Sequence, residues 1–225
     1  METSFLATLA LTFKLAAITT LILCPIGLVL GAYLAFKDGF LKILVETLTW
    51  MPLILPPTVL GFYLLVLFAP ASPLGAFLLK FHIRLVFSFS GLVCASVVFS
   101  LPFMANPIQN ALKSLPKSLR EASYTLGKSK LFTFFNVLLP NIKPALLMGL
   151  ITTFAHTVGE FGVVMMVGGN IQGQTRVASI AIYTQAEANH LALANQYALT
   201  LSVLSFALLF VVLLIQKRTQ AFYKF

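Results

Sequence analysis

Apolar positions gather into five long runs separated by shorter polar stretches. The first covers residues 6–36 and is interrupted only by Lys14. The second covers 43–69 and contains Pro52, Pro56 and Pro57, and the third covers 85–105. A polar stretch at 106–143 precedes the fourth run, 144–167. After a Gly-, Gln- and Asn-rich segment at 168–195, a fifth run ends near Ile215. A helix of about 20 apolar residues crosses a bilayer core, so each run is long enough. The pattern predicts an all-α, polytopic membrane protein with about five transmembrane helices and one large loop between spans three and four. The first run is longer than the about 7–15 residues of a secretory h-region and lacks a basic start, which predicts a retained helix. Residues 1–225 read as one domain with a core at 5–218 and the large loop at 112–143.

Composition agrees: of 225 residues, 59% are hydrophobic and 9% charged, with a mean hydropathy of +0.97. A soluble domain carries about 25% charged residues, so a soluble protein is excluded. The formal charge of +9 would suggest nucleic acid as a partner in a soluble chain, but in a membrane protein cations report topology. Lys37, Lys42, Lys113, Lys117, Arg120, Lys128, Lys130, Lys143, Lys217, Arg218 and Lys224 fall on one side of the five-span map; Lys14, Lys80, Arg84 and Arg176 fall on the other. Lys and Arg accumulate on the cytoplasmic side. The expectation is therefore an outside N-terminus, a cytoplasmic C-terminus, a cytoplasmic large loop, membrane lipid as a neighbour and no nucleic-acid partner. Cys24 and Cys94 lie within apolar runs and read as small buried hydrophobes. No internal repeat is visible.

Within the large loop, residues 114–127 predict a short helix. Pro116 suits a first helical position and Gly127 a left-handed closing residue. Leu115, Leu119, Ala122 and Leu126 share one face. A second short helix is expected over 129–139, stopped by Pro140. Such helices either cover their own membrane core or present apolar anchors to a groove on another protein. Glu121-Ala122-Ser123, Gly127 and Leu139-Pro140 resemble the Glu-Ala-Ala loop of ABC-importer permeases, with Ser123 in place of the second Ala and Val137 at the hydrophobic position. The resemblance implies a coupling helix that docks into a cleft of an ATP-binding subunit, with Glu121, Ala122, Ser123, Gly127, Leu139 and Pro140 as the ATPase-coupling residues. Gly127-Lys128-Ser129 ends like a phosphate-binding loop, but that loop requires Gly where Ala122 stands, and a preceding strand. The chain is expected not to be an enzyme; it holds no cofactor, and ATP and Mg belong to a partner subunit.

Two polar features lie within the runs. Pro56, Pro57 and Thr58 break the second one, which is either a packing kink or a broken helix facing a translocation path. The fourth carries His156-Thr-Val-Gly159-Glu160-Phe-Gly162. A carboxylate at bilayer depth costs roughly 2.5–3.5 kcal/mol or more unless it faces the bundle interior or water. His156 and Glu160, four residues apart, are placed to pair on one helix face, as a structural pair or as part of a path or gate. Two such residues do not make a metal site, which wants three or four ligands. Gly27 and Gly31 have the spacing for close helix approach. Residues 168–187 read as an outside loop leading into a short helix that forms a gate or meets an external protein.

Leu55-Pro-Pro-Thr-Val-Leu-Gly61 and Gly159-Glu-Phe-Gly162, followed by Gly168-Gly-Asn-Ile171, resemble the molybdate-type permeases of the sulfate/molybdate branch of ABC importers. The resemblance implies a homodimer in the cytoplasmic (inner) membrane, two copies of an ATP-binding subunit, and a periplasmic or extracellular oxyanion-binding protein. Molybdate is the expected cargo, with sulfate and tungstate as alternatives. No span holds Lys or Arg near its centre, so the expected path is weak and built of hydroxyls, backbone donors and helix ends. The competing class, a secondary transporter or channel, would carry ionisable relay residues in several spans.

Overall fold

The computed structural model describes the backbone of residues 2–222 and the side chains of residues 5–207, 209, 210, 213 and 214. Among these residues every regular element is helical, and the five apolar runs all become helix. Among the described residues, two of them, α1 (Glu2–Phe36) and α5 (Phe89–Ser114), form unbroken helices long and apolar enough to cross a bilayer. The second run divides into α2 (Phe40–Ile54) and α3 (Pro57–Phe68), which turn by 114°. The cause is the proline pair: a residue before proline is pushed out of the helical region, and Leu55 and Pro56 are extended, with ψ of 139° and 133°. A short α4 (Pro73–Leu79) then leads to α5.

α5 corrects one predicted boundary. The polar stretch expected to begin at residue 106 starts as two more turns of this helix, where two of its polar side chains have a partner on α2. Gln109 Nε2 donates to Glu46 Oε1 at 2.6 Å, and Lys113 Nζ lies 3.8 Å from the same oxygen. The loop then forms α6 (Lys117–Thr125), α7 (Lys130–Thr133), a π-helical turn (Phe134–Leu138) and α8 (Leu139–Asn141). Pro140 does not stop the second loop helix. It occupies the first turn of α8, where a missing N–H is tolerated, and the π turn before it absorbs one extra residue. The chain bends at Ile142 instead, and α9 (Lys143–Gly159) leaves at 75°.

The fourth run is also shorter than predicted: α9 ends at Gly159, Glu160 and Phe161 are non-helical, and α10 (Gly162–Gly168) begins afresh. The expected short helix of the outer loop is α11 (Ala178–Glu187), and the fifth run lies in α12 (Leu191–Phe222). Of the cations used to orient the chain, Lys224 and the side chains of Lys217 and Arg218 lie outside the described residues.

α5 is the axis of the packing. A Cβ on Gly27 would lie 2.2 Å from Met104 Cγ, and one on Gly31 would lie 2.7 Å from Ile108 Cγ2; α1 reaches α5 so closely because these positions are bare. α10 meets α3 in the same manner, since a Cβ on Gly61 would fall 2.8 Å from Met166 Cβ. Two of the four apolar clusters among the described residues bear on the sites. Leu60, Leu64, Phe99, Val163 and Val167 join α3, α5 and α10. Leu23, Met104, Ile108, Leu112, Leu138 and Ile142 join α1 and α5 to the end of the loop.

Candidate functional site

Both helix breaks open onto one groove of about 570 Å³. Pro57 and Thr58, at the start of α3, line one side; His156, Gly159, Glu160 and Gly162 line the other. Gly162 brings the two breaks together, because a Cβ there would meet Pro57 Cβ at 2.8 Å. Pro56 is not part of the wall: it caps α3 from outside the groove. Glu160 is 4% exposed, and among the described residues its carboxyl makes no hydrogen bond of ordinary geometry, its one polar side-chain interaction being a weak one with the Ser96 hydroxyl. Its main-chain carbonyl accepts from Ser179 Oγ at 2.6 Å, which ties the break to α11.

The expected His156–Glu160 pair does not form. The helix ends between the two residues, and Glu160 turns extended (ψ 131°), which removes the side chains from a common face. His156, on α9, packs against α5 instead. Its ring stacks on Phe103 with centroids 4.0 Å apart, lies 4.7 Å from Phe99, and places Nδ1 3.0 Å from Ser100 Oγ. Among the described residues, no three His, Cys, Asp or Glu side chains converge as a metal site would require.

The second site is the loop. Pro116 caps α6, and Gly127, at φ +72°, supplies the left-handed turn into α7. Ser123, which stands where the resembled pattern has Ala, is buried and lies 2.8 Å from Thr133 Oγ1. Thr133 donates its own hydrogen to the Ser129 carbonyl, so Ser123 is the donor that joins α6 to α7. The predicted apolar face is divided. Leu115 and Leu119 are half-buried, while Ala122 and Leu126 face outward beside Glu121. Leu126 is 76% and Leu131 72% exposed, with Phe132 and Phe135 also uncovered. Leu139 and Pro140 are half-buried; Leu139 packs on the cluster that holds the loop to α1 and α5. Arg120 places its guanidinium 5.0 Å from the Phe36 ring centre.

Residues 27–221 match the family described as binding-protein-dependent transport system inner membrane component. The chain belongs to this family. This transport component is 42% identical over 206 residues to the molybdenum transport system permease protein ModB of Azotobacter vinelandii, covering 91% of each chain. It is 33% identical over 177 residues to the sulfate transport system permease protein CysT of Salmonella typhimurium, covering 79% of this chain and 64% of that one. Its fold matches a chain of a bacterial ABC transporter that imports the acidic polysaccharide alginate, with a TM-score of 0.79 at 14% identity, over 96% of this chain and 79% of that one.

Phe99 lines the permease groove and Phe103 and Ser100 hold the His156 ring behind it; sequence reading missed all three, and Ser96 one turn before Ser100. Phe99, Phe103, Ser96 and Ser100 all come from the third run, where they are scattered among apolar neighbours. A weak signal exists in the i, i+4 spacing of Ser96 and Ser100 on α5 and of Thr153 and Thr157 on α9. Ser100 Oγ lies 3.1 Å from Thr157 Oγ1, joining the two hydroxyl rows.

Proposed function

We propose that this chain is the membrane subunit of an ATP-driven importer that carries a tetrahedral oxyanion, molybdate, across the cytoplasmic membrane. In this reading two copies form the path, two copies of a separate ATP-binding subunit hydrolyse ATP, and an external binding protein delivers the anion. The greater identity and coverage shared with the molybdenum permease than with the sulfate permease support molybdate over sulfate.

The observation that carries the pathway reading is the meeting of the Pro57-Thr58 break and the His156–Gly162 break on one groove. Broken helices at membrane depth are tolerated where they line a cavity, and helix starts aimed at an anion stabilise it. Among the described residues no Lys or Arg lines the groove, which suits brief contact and easy release. Selection then belongs to the external protein. Micromolar or tighter molybdate binding by the isolated permease would contradict this division of labour.

The coupling assignment rests on the outward display of Glu121, Ala122 and Leu126 on a helix closed by Gly127. ATPase closure would draw the two loops together and rock the spans that α9 continues. The direct test of the function is uptake of labelled molybdate by the reconstituted complex, with unlabelled sulfate and tungstate as competitors. Uptake that needs ATP and is suppressed by tungstate more than by sulfate supports the assignment. Suppression by sulfate at equal concentration would reassign the cargo.

A further inference from the structure

The hydrogen-bond chain behind His156 determines what its ring offers the groove. Thr157 Oγ1 lies 2.9 Å from the Thr153 carbonyl, 3.1 Å from Ser100 Oγ, and Ser100 Oγ lies 3.0 Å from His156 Nδ1. A carbonyl only accepts, and each hydroxyl has one hydrogen. All three bonds can exist together in one order alone: Thr157 donates to the carbonyl, Ser100 donates to Thr157, and His156 Nδ1–H donates to Ser100. The proton of the neutral imidazole is therefore on Nδ1. Nε2 makes no hydrogen bond within the protein and is not sealed from the groove. It presents a lone pair.

A tetrahedral dianion has only acceptor oxygens, and an acceptor facing a lone pair is repelled. We propose that His156 is a specificity-determining contact that engages an oxyanion in the groove only with one proton held between Nε2 and an anion oxygen. The proton arrives on the imidazole or on the anion, and in both cases one positive charge is added to the contact for each anion that passes. Among the described residues no Lys or Arg lines the groove to do this. The groups around the ring support the same requirement: α5 contributes Phe99, Phe103 and Ser100, α3 contributes Pro57 and Thr58, and Glu160 is the only other titratable group on the wall among the described residues. The proposal rests on the reading of the groove as the translocation path.

The test uses the complete importer in proteoliposomes, with labelled molybdate uptake normalised to ATP hydrolysed, from about pH 5 to about pH 8. Wild-type uptake should fall with rising pH, approaching about tenfold per unit on the limb where the proton is lost. Ser100→Ala removes the acceptor that holds the proton on Nδ1, so the neutral ring can carry it on Nε2 and the profile should flatten. His156→Gln places an amide donor at the groove at every pH and should flatten it too. Nitrogen NMR of the ring provides a second readout: neutral His156 should be protonated on Nδ1 in the wild type and shift toward Nε2 in Ser100→Ala. An Nε2-protonated ring in the wild type, or one pH profile shared by all three proteins, overturns the proposal. If His156→Ala transports as well as wild type at every pH, the pathway reading fails and the proposal with it; if it transports poorly while Ser100→Ala keeps the wild-type profile, the pathway stands and the proton requirement falls.

Discussion

Ser123 shows how much one atom does in this chain. Its hydroxyl is the link from α6 to α7, yet Thr133 keeps its bond to Ser129 without it. Ser123→Ala should therefore cost only about 0.5–1.5 kcal/mol, the ordinary worth of a hydrogen bond, and thermal unfolding of the purified protein would measure it. Gly127 is less forgiving: a Cβ there meets nothing within 4 Å, but φ is +72°, and a left-handed L-residue costs about 1–2 kcal/mol. Glu160→Gln keeps the size of this buried side chain and removes its capacity to carry a charge, so thermal unfolding of the purified protein should change by less than about 1 kcal/mol. The same substitution should alter uptake by the reconstituted complex if Glu160 serves the path. The burial of Glu160 was legible in the sequence, since an acid within an apolar run is kept from facing lipid. The identity of the His156 partner was not, since Ser100 stands 56 residues earlier and no spacing rule connects two separate spans.

Among the helices, sequence reading succeeded where a feature is local and failed where it depends on a neighbour. The proline pair announced the α2–α3 break, and Gly27 and Gly31 announced the α1–α5 approach. In the extension of α5 past residue 105, Gln109 and Lys113 find their partner in Glu46 of α2. The end of α9 at Gly159 has no strong breaker; it is imposed where α10 must turn to lie on Pro57 and Gly61. Gly27→Leu should drive α1 away from Met104, an overpacking that costs about 1–3 kcal/mol or more, and the yield of protease-resistant protein in membranes would report it. Gly162→Val, which meets Pro57 at the junction of the two breaks, should lower uptake more than it lowers that yield.

For the molecule as a whole, the all-α class, the five apolar runs and the loop carrying Glu121 to Pro140 were all readable from hydropathy, charge and spacing. The groove was not readable, because it exists only once α3, α5 and α9 are assembled. Glu121→Arg and Gly127→Asp should each release a co-purifying ATPase subunit; retained association in both would reject the coupling assignment. The proposed orientation predicts that single cysteines at Lys128 and Asn189 react with an impermeant reagent from opposite sides of the membrane. The bond between Ser123 and Thr133 has a mechanical meaning as well. By cross-bracing α6 against α7, it turns the loop into a stiff strut with one end at the exposed Leu126 and the other seated at Leu138 and Ile142 against α5. Under the proposed coupling, a push delivered at the tip would be carried as a load into the core of the spans, with little of the stroke lost to bending in between.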